Sequence, residues 1–249
     1  ILGGKNGRAL PSPVRIAIGV LAYGGQIDRD QATSMFLLGA SFGANQVLQH
    51  TNAPDQPPPI QFIGMRVENS QPVYHARNLL VDWARQAGAQ WLLMVDADTY
   101  TLDPGAVLSM IVSGHVSDAA AIAAPVLMRN RPGHNVWMED ARLARADEFA
   151  GRRVKVRRIG AAFMAVNISW LVRHWPKQPW FEMPPQREGA PAVVGEDRWF
   201  CDGVLERGGD LWCDGRFEPE HRGAREMQIA MAVAAQEHAK SAPAVVASA

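Results

Sequence analysis

The sequence has little cysteine, no excess of either charge and no long apolar run. Its two cysteines, Cys201 and Cys213, cannot build a four-ligand zinc site and make a poor disulfide framework, so we expect two reduced, buried thiols. The 25 basic residues are balanced by 25 acidic residues. This balance excludes the overall basic charge that is usual in proteins that bind nucleic acid.

No apolar run approaches the ~18 residues of a transmembrane helix, and the first residues lack the pattern of a secretory signal. We therefore expect a cytoplasmic protein with no transmembrane segment. The composition that is present, 47% hydrophobic and 20% charged, is typical of a globular domain with a hydrophobic core. It argues against a disordered chain, a collagen-like repeat and a coiled coil.

Apolar strands alternate with helices along the first half of the chain. Strands are predicted at the apolar, β-branched runs 14–22, 60–67, 91–95 and 119–127. Helices are predicted between them at 28–49 and 70–88 and from 104 onward, with Ser70 and Asp103 as N-caps. This alternation predicts an open α/β sheet, and ligands of such sheets bind beyond the carboxyl ends of the strands.

The second half of the chain is less regular. Strands are predicted at 153–157, 159–166 and 210–214, and helices at 170–175 and 196–207. The basic run at 152–158 is typical of an edge strand that charge protects from aggregation, and contact with an anionic acceptor is the alternative. The proline-rich segment 175–191 is predicted to be a mobile lid, because long irregular loops are usually functional or disordered.

The strongest functional signal is Asp96-Ala97-Asp98, which ends the buried strand at 91–95. Two carboxylates crowded at a strand end repel each other unless a cation lies between them. Magnesium and manganese accept carboxylate oxygens and usually share them with substrate phosphates. The alternative role for such carboxylates is to cap the following helix, which suits Asp103 but does not explain the pair Asp96 and Asp98. The motif therefore predicts a site for a divalent cation.

Further motifs in a fixed order extend this signal over most of the chain. They are Ala22-Tyr23, Val67-Glu68-Asn69-Ser70, Ala76-Arg77-Asn78, Asp96-Ala97-Asp98, Gly160-Ala161-Ala162-Phe163-Met164 and Gly195-Glu196-Asp197. In this order the chain resembles the GT-A-fold glycosyltransferases, specifically their inverting, family-2-like branch, which uses nucleotide-sugar donors. The Gln-X-X-Arg-Trp signature of processive synthases is absent from the sequence, so we expect a single-transfer, hexosyltransferase-like enzyme.

The resemblance implies a nucleotide-sugar pocket at the strand ends. In it Tyr23 would stack on the base, Glu68 would accept a base N–H, and Arg77 would hold the base edge or a phosphate. Asp96 and Ala97 would complete the pocket. The family often has Pro-Thr-Tyr at the first strand end; the proline is missing here, so Tyr23 alone is carried over. Uracil is the base that the resemblance favours, and the expected donor is a UDP-sugar.

The resemblance also implies a metal site and a catalytic base. Asp98 and His221 are expected to ligate Mn2+ (or Mg2+), with Asp96 assisting, and an imidazole ligand favours manganese. The alternative for His221 is a surface histidine near a helix N-terminus. Asp197 is expected to be the base and Glu196 its neighbour in the motif; the alternative role for either carboxylate is to stabilise the helix N-terminus electrostatically.

The fold that the resemblance implies is α/β, a single GT-A (Rossmann-like) domain with a mostly parallel central sheet, flanking helices and a smaller acceptor-side sheet. This domain is expected over 1–240, with a nucleotide-binding half at about 14–127, an acceptor half at about 128–240, and a disordered tail at 241–249. The expected reaction moves a sugar from a nucleotide sugar to an acceptor hydroxyl. The acceptor stays open among a glycan, a protein, a lipid-linked molecule and a nucleic acid.

Two other functions stay open. The glycine-rich segment 3–11 is similar to the phosphate loop of sugar-phosphate nucleotidyltransferases, although a strand and not a helix follows it. A transferase without activity would be a nucleotide- or carbohydrate-binding module, and the acidic pairs Asp96/Asp98 and Glu196/Asp197 argue against this. Release of pyrophosphate would support the first alternative, whereas manganese-dependent turnover would exclude the second.

Overall fold

The protein is described from a computed structural model that covers residues 13–22, 27, 29–52, 60–129, 132–183, 195–224, 226–227 and 229–231. The helices are Arg29–Asn52 (α1), Val73–Gln86 (α2), Pro104–Val116 (α3), Ala146–Phe149 (α4), Ile168–His174 (α5) and Glu196–Glu206 (α6). The strands are Val14–Leu21 (β1), Ile60–Glu68 (β2), Trp91–Asp96 (β3), Thr99–Tyr100 (β4), Ala121–Ala123 (β5), Val136–Trp137 (β6), Arg153–Lys155 (β7), Arg158–Ile159 (β8), Phe163–Asn167 (β9), Leu211–Asp214 (β10) and Glu220–His221 (β11).

Within these residues, seven strands form one sheet in the order β2-β1-β3-β9-β5-β10-β7. β1 pairs in parallel with β2 and β3, and β5 pairs in parallel with β10. β9 and β7 run antiparallel to their neighbours. Two-stranded sheets form from β4 with β11 and from β6 with β8. The expected α/β class is therefore confirmed, with a mostly parallel central sheet and smaller sheets.

Helices cover both faces of the central sheet. β1 and β3 are buried at nearly every position, as expected for strands covered on both faces of a parallel sheet. Since neighbouring strand residues point to opposite faces, Leu92 packs in the core cluster with α2, α5 and α6, and Leu93 packs in the cluster with α1 and α3. The charged residue of β3, Asp96, therefore lies at the edge of the sheet where this strand ends.

Two predicted strands differ most from the observed ones. β5 occupies only 121–123 of the predicted 119–127, because the chain then leaves the sheet and the backbone N–H of Val126 donates to Asn135 Oδ1 at 2.9 Å. The predicted strand 159–166 is divided between β8 and β9 by a turn at 161–162. β8 pairs with β6, whereas β9 enters the central sheet between β3 and β5.

The prediction that Ser70 caps a helix is wrong. Helix α2 begins at Val73 and has no side-chain cap, while the backbone and hydroxyl of Ser70 both donate to the carboxylate of Glu68. Serine side chains readily form such local bonds outside helices. The predicted cap at Asp103 is confirmed, because its Oδ1 accepts the N–H of Ala106 at 2.9 Å.

The described part of the proline-rich segment, 175–183, is anchored at three aromatic side chains, whereas 176–179 are exposed. The lid stays a prediction. Trp175, Trp180 and Phe181 are buried. Asn78 of α2 fixes the segment, because its Oδ1 accepts the N–H groups of Trp180 and Phe181 at 2.9 and 3.1 Å and its Nδ2 donates to the Phe181 carbonyl at 2.7 Å. Residues 184–194 lie outside the described residues.

Other expectations concern the surface and the termini. β7 is the edge strand of the sheet, as the basic run at 152–158 predicts, and Cys201 and Cys213 are free and buried. No helix in the described ranges combines the length and the apolar character needed to cross a membrane. Residues 1–12 and 232–249, which include the glycine-rich segment and the predicted tail, lie outside the described residues.

Candidate active site

A cavity of about 620 Å³ lies at the end of β3. Its lining comes from distant parts of the chain: α2, the end of β3, the segment after β5, the region around β8, the start of α6, and β11. Predicted site residues in this lining are Arg77, Asp96, Glu196, Asp197 and His221. Their positions in the sequence are far apart, so the fold alone brings them together.

Arg77 is the centre of the polar contacts in the cavity. It is 2% exposed, and its Nη2 donates to Asp96 Oδ1 at 3.0 Å. Its Nε donates to Glu196 Oε1 at 3.3 Å and its Nη1 to the Ala161 carbonyl at 3.1 Å. The planar, permanently charged guanidinium suits this role because it can bond several acceptors in fixed directions. Arg77 thus orients one carboxylate from β3 and another from α6.

Two carboxylates and one guanidinium act on the charge of Asp96. Burial raises the pKa of Asp96; Arg77 opposes this rise, and the carboxylates of Asp98 and Glu196 add to it. Arg77 is shared between two carboxylates, Asp96 and Glu196, so further positive charge near Asp96 would be favourable.

Asp98, in the turn between β3 and β4, contacts Arg129 and His221. Its Oδ2 accepts a hydrogen bond from Arg129 Nη2 at 2.7 Å, and its Oδ1 lies 3.6 Å from His221 Nε2. Antiparallel pairing of β4 with β11 places His221 opposite Thr99, which brings the ring beside Asp98. Burial raises the pKa of Asp98, but His221 and Arg129 outweigh burial and hold the pKa below its ordinary value.

The backbone fixes the orientation of the His221 ring. Its Nδ1 lies 2.7 Å from the Leu127 carbonyl oxygen, and because a carbonyl only accepts, Nδ1 carries a hydrogen. In the neutral ring, Nε2 then presents a lone pair to Asp98 Oδ1, and the two atoms repel unless a proton or a metal ion lies between them. Burial lowers the pKa of His221, but Asp98 and the Leu127 carbonyl raise it above the ordinary value.

Asp98 and His221 fit a divalent cation as two of its ligands. A carbonyl that fixes the tautomer is the usual outer partner of a metal-binding imidazole, and Mg2+ sites often combine few protein ligands with water and substrate phosphates. Asp96, the third predicted ligand, is hydrogen-bonded to Arg77. In the described part of the chain, no three His, Cys, Asp or Glu side chains form a metal-binding group. The assignment of Asp96, Asp98 and His221 as ligands stays a prediction.

The first turn of α6 carries two carboxylates in different environments. Glu196 is paired with Arg77, whereas Asp197 Oδ1 accepts the backbone N–H of Arg198 at 2.7 Å. Burial raises the pKa of Asp197, and the charge of Glu196 raises it further. A carboxylate with a raised pKa is a stronger base than an ordinary one, which suits proton abstraction near neutral pH.

Glu68 and Ala97 are not among the residues that line the cavity. Glu68 ends β2, and its carboxylate accepts hydrogen bonds from Ser70 and Arg66. Burial raises the pKa of Glu68, but these bonds outweigh burial and lower the pKa. Ala97 lies in the turn after β3, and Tyr23 lies outside the described residues. Nucleotide binding by Tyr23, Glu68 and Ala97 stays a prediction.

The cavity also contains residues that sequence analysis did not assign to it. Arg129 lines the cavity and follows the apolar run 119–127, so its position after a strand is the signal that could have identified it. Arg158 belongs to the basic run, but its Nε and Nη2 donate to the two carboxylate oxygens of Asp202 at 2.9 and 3.1 Å. No sequence pattern indicates Asn135, whose place in the lining depends on close packing against Gly160.

Comparison with solved structures finds similar folds at low sequence identity. The crystal structure of A197 from STIV has a TM-score of 0.52 and 13% identity, covering 81% of this chain and 82% of that chain. The crystal structure of GalNAc-T7 with UDP, GalNAc and Mn2+ has a TM-score of 0.44 and 10% identity, covering 85% of this chain and 44% of that chain. No protein-family model and no curated protein matches the sequence. The similarity to A197 supports the fold, and function must be inferred from the site.

Proposed function

We propose that this protein is a metal-dependent glycosyltransferase that moves a sugar from a nucleotide sugar, with a UDP-sugar favoured, to an acceptor hydroxyl by single, inverting transfer. One observation carries the proposal: the carboxylates of Asp96, Glu196 and Asp197 line one cavity with His221, and Asp98 contacts that histidine. The motifs that resemble family-2-like glycosyltransferases assign roles to these same residues.

The donor side of the site would be formed by residues at the ends of β2 and β3. Asp98 and His221 would hold Mn2+ or Mg2+, and a cation at this position supplies neutralisation of the diphosphate leaving group. Arg77 keeps the carboxylate of Asp96 oriented next to that position. Tyr23, Glu68 and Ala97 would contact the nucleotide beyond the cavity lining.

The acceptor side is formed by the first turn of α6. Inverting displacement needs a carboxylate that accepts the proton of the attacking hydroxyl on the face opposite to the leaving group. Asp197 suits this role better than Glu196, because Glu196 is bound to the guanidinium of Arg77. The pKa of Asp197 is raised above its ordinary value by burial and by the charge of Glu196, which makes it a stronger base than an ordinary aspartate. We assign proton abstraction to Asp197 and orientation of the α6 turn to the Arg77–Glu196 pair.

Thermal unfolding with a panel of nucleotide sugars, with and without Mn2+, tests donor binding. A ligand that binds only the folded protein stabilises it by about 2.7 kcal/mol at 100 times its Kd. We expect one class of nucleotide sugar, together with Mn2+, to raise the melting temperature of the wild-type protein above that of the unliganded protein. The same mixture should not raise the melting temperature of Asp98→Asn. No shift with any nucleotide sugar would contradict the proposal.

The products of the reaction separate the proposal from its alternatives. Glycosyl transfer, or slow hydrolysis of the donor, releases a nucleoside diphosphate. Release of pyrophosphate would instead indicate a sugar-phosphate nucleotidyltransferase, and binding without any turnover would indicate a binding module.

A further inference from the structure

Two hydrogen bonds fix the Arg129 side chain at Asp98. Arg129 Nη2 donates to Asp98 Oδ2 at 2.7 Å, and Arg129 Nε donates to the carbonyl of Arg222 at 2.9 Å. The backbone N–H of Arg222 in turn donates to the carbonyl of Asp98 at 2.9 Å. The guanidinium therefore occupies a defined position beside the carboxylate, and it is not merely a nearby surface charge.

The backbone that carries Arg129 is held by separate contacts. The N–H of Met128 donates to the Gly133 carbonyl at 3.0 Å, and Leu127 forms a β-bridge with His134. The Arg129 side chain itself is 43% exposed. The guanidinium can therefore leave Asp98 by side-chain rotation into solvent, without any change in the core.

A metal ion bound at Asp98 and the guanidinium of Arg129 would repel each other electrostatically. His221 Nε2 lies 3.6 Å from Asp98 Oδ1, on the oxygen that Arg129 does not bond. A divalent cation between these two ligands would bring two positive charges next to the charge of Arg129, and a single carboxylate cannot neutralise all three.

We propose that Arg129 is the resident counter-ion of Asp98 and that a divalent cation binds by displacing it, so that Arg129 sets the cation affinity of the site. This inference rests on the proposed function for the assignment of Asp98 and His221 as metal ligands. Arg129 keeps Asp98 neutralised in the metal-free protein and weakens the binding of Mn2+ in the absence of nucleotide.

Binding of Mn2+ alone to the full chain tests this proposal, with free Mn2+ measured by its electron paramagnetic resonance signal. Arg129→Gln removes the charge, and Arg145→Gln is the matched control, because Arg145 forms an exposed ion pair with Asp147 outside the cavity lining. We expect Arg129→Gln to bind Mn2+ about tenfold more tightly than wild type, the effect of removing one partly exposed charge beside a cation. Arg145→Gln should match wild type, and Asp98→Asn should bind no Mn2+ at this site.

A gain of affinity cannot come from misfolding, so the direction of the change separates displacement from a purely structural role of Arg129. Equal or weaker binding by Arg129→Gln, with binding still lost in Asp98→Asn, would overturn the counter-ion role and leave the proposed function intact. Absence of Mn2+ binding in wild type and in Arg129→Gln alike would overturn both this inference and the metal site of the proposed function.

Discussion

The guanidinium of Arg77 lies 3.0 Å from Asp96 Oδ1 and ties helix α2 to the end of strand β3. The same guanidinium bonds Glu196 at 3.3 Å, so one buried cation connects the two acidic motifs of the chain. Both carboxylates are about one-sixth exposed, with side-chain exposures of 17%. We therefore expect Arg77 to contribute to stability as well as to the orientation of the site.

Replacement of Arg77 by methionine should destabilise the fold. Arg77→Met leaves Asp96 and Glu196 largely buried without their counter-ion, and breaking a buried ion pair in this way costs about 3–5 kcal/mol. Urea unfolding at neutral pH measures the loss. Arg145→Met, which removes an exposed arginine from its pair with Asp147, should leave the midpoint unchanged. Equal midpoints for wild type and Arg77→Met would show that the carboxylates do not depend on Arg77.

Asn78 should be essential for the packing of the segment around 180. Asn78→Leu conserves the size of the side chain but leaves the buried N–H groups of Trp180 and Phe181 without their acceptor. Each unsatisfied buried group costs about 1–3 kcal/mol, so we expect the free energy of unfolding to fall by at least about 2 kcal/mol.

Proteolysis should show the same effect as faster cleavage near 180 in Asn78→Leu. The matched control is Gln86→Leu on the same helix, which removes an exposed hydrogen bond to Asp82 and should change neither measurement. Wild-type behaviour of Asn78→Leu in both measurements would refute the anchoring role.

Gly160 should not tolerate a side chain. A Cβ at Gly160 would lie 2.3 Å from Asn135 Nδ2, so Gly160→Ala must displace the side chain that accepts the Val126 N–H. Overpacking of this kind costs about 1–3 kcal/mol. In contrast, Gly39→Ala in helix α1 meets nothing within 4 Å and should stabilise the protein by about 0.5–1 kcal/mol. Thermal unfolding of the two variants should show shifts of opposite sign.

The sequence predicts the central strands because burial on both faces leaves a continuous apolar run. β3 was predicted at 91–95 and extends to Asp96. The break between β8 and β9 could not be predicted, since the run 159–166 contains no polar residue and the separation depends on pairing with β6 and β3. The prediction that Ser70 caps a helix was wrong for a local reason, because the Ser70 hydroxyl bonds to the carboxylate of Glu68 and not to a helix N-terminus.

Motif order predicted the acidic residues of the cavity but not how they are neutralised. Asp96 and Glu196 were assigned from separate motifs, and no sequence pattern shows that Arg77 bonds both. The contact of Arg129 with Asp98 depends on the path of the chain after β5, where the strand ends earlier than its apolar pattern indicates. Such contacts are set by tertiary structure and leave no periodic signal.

If Asp197 is the base, the rate of transfer should depend on its ionisation. Asp197→Asn should lower kcat by about 10²–10⁴-fold while donor binding is kept. The rate should fall as the pH decreases through the pKa of Asp197, and since burial and Glu196 raise that pKa above 3.8, the acid limb of the wild-type profile should lie above pH 3.8.

Glu196→Gln gives the matched test of that profile. Removal of the neighbouring negative charge lowers the pKa of Asp197, so the acid limb should move to lower pH. A near-normal rate for Asp197→Asn, or a limb that Glu196→Gln leaves in place, would assign the base to another residue.

The most direct test of the metal-dependent transferase site is the release of UDP from UDP-sugars, measured by chromatography with wild type and Asp98→Asn. We expect wild type to release UDP with Mn2+ and to stop when a chelator is added, because the cation would be held by Asp98 and His221. Asp98→Asn should release no UDP under either condition while its melting temperature without ligand stays close to that of wild type. Release of UDP that persists with chelator, or that is equal in Asp98→Asn, would contradict the metal-dependent site proposed here.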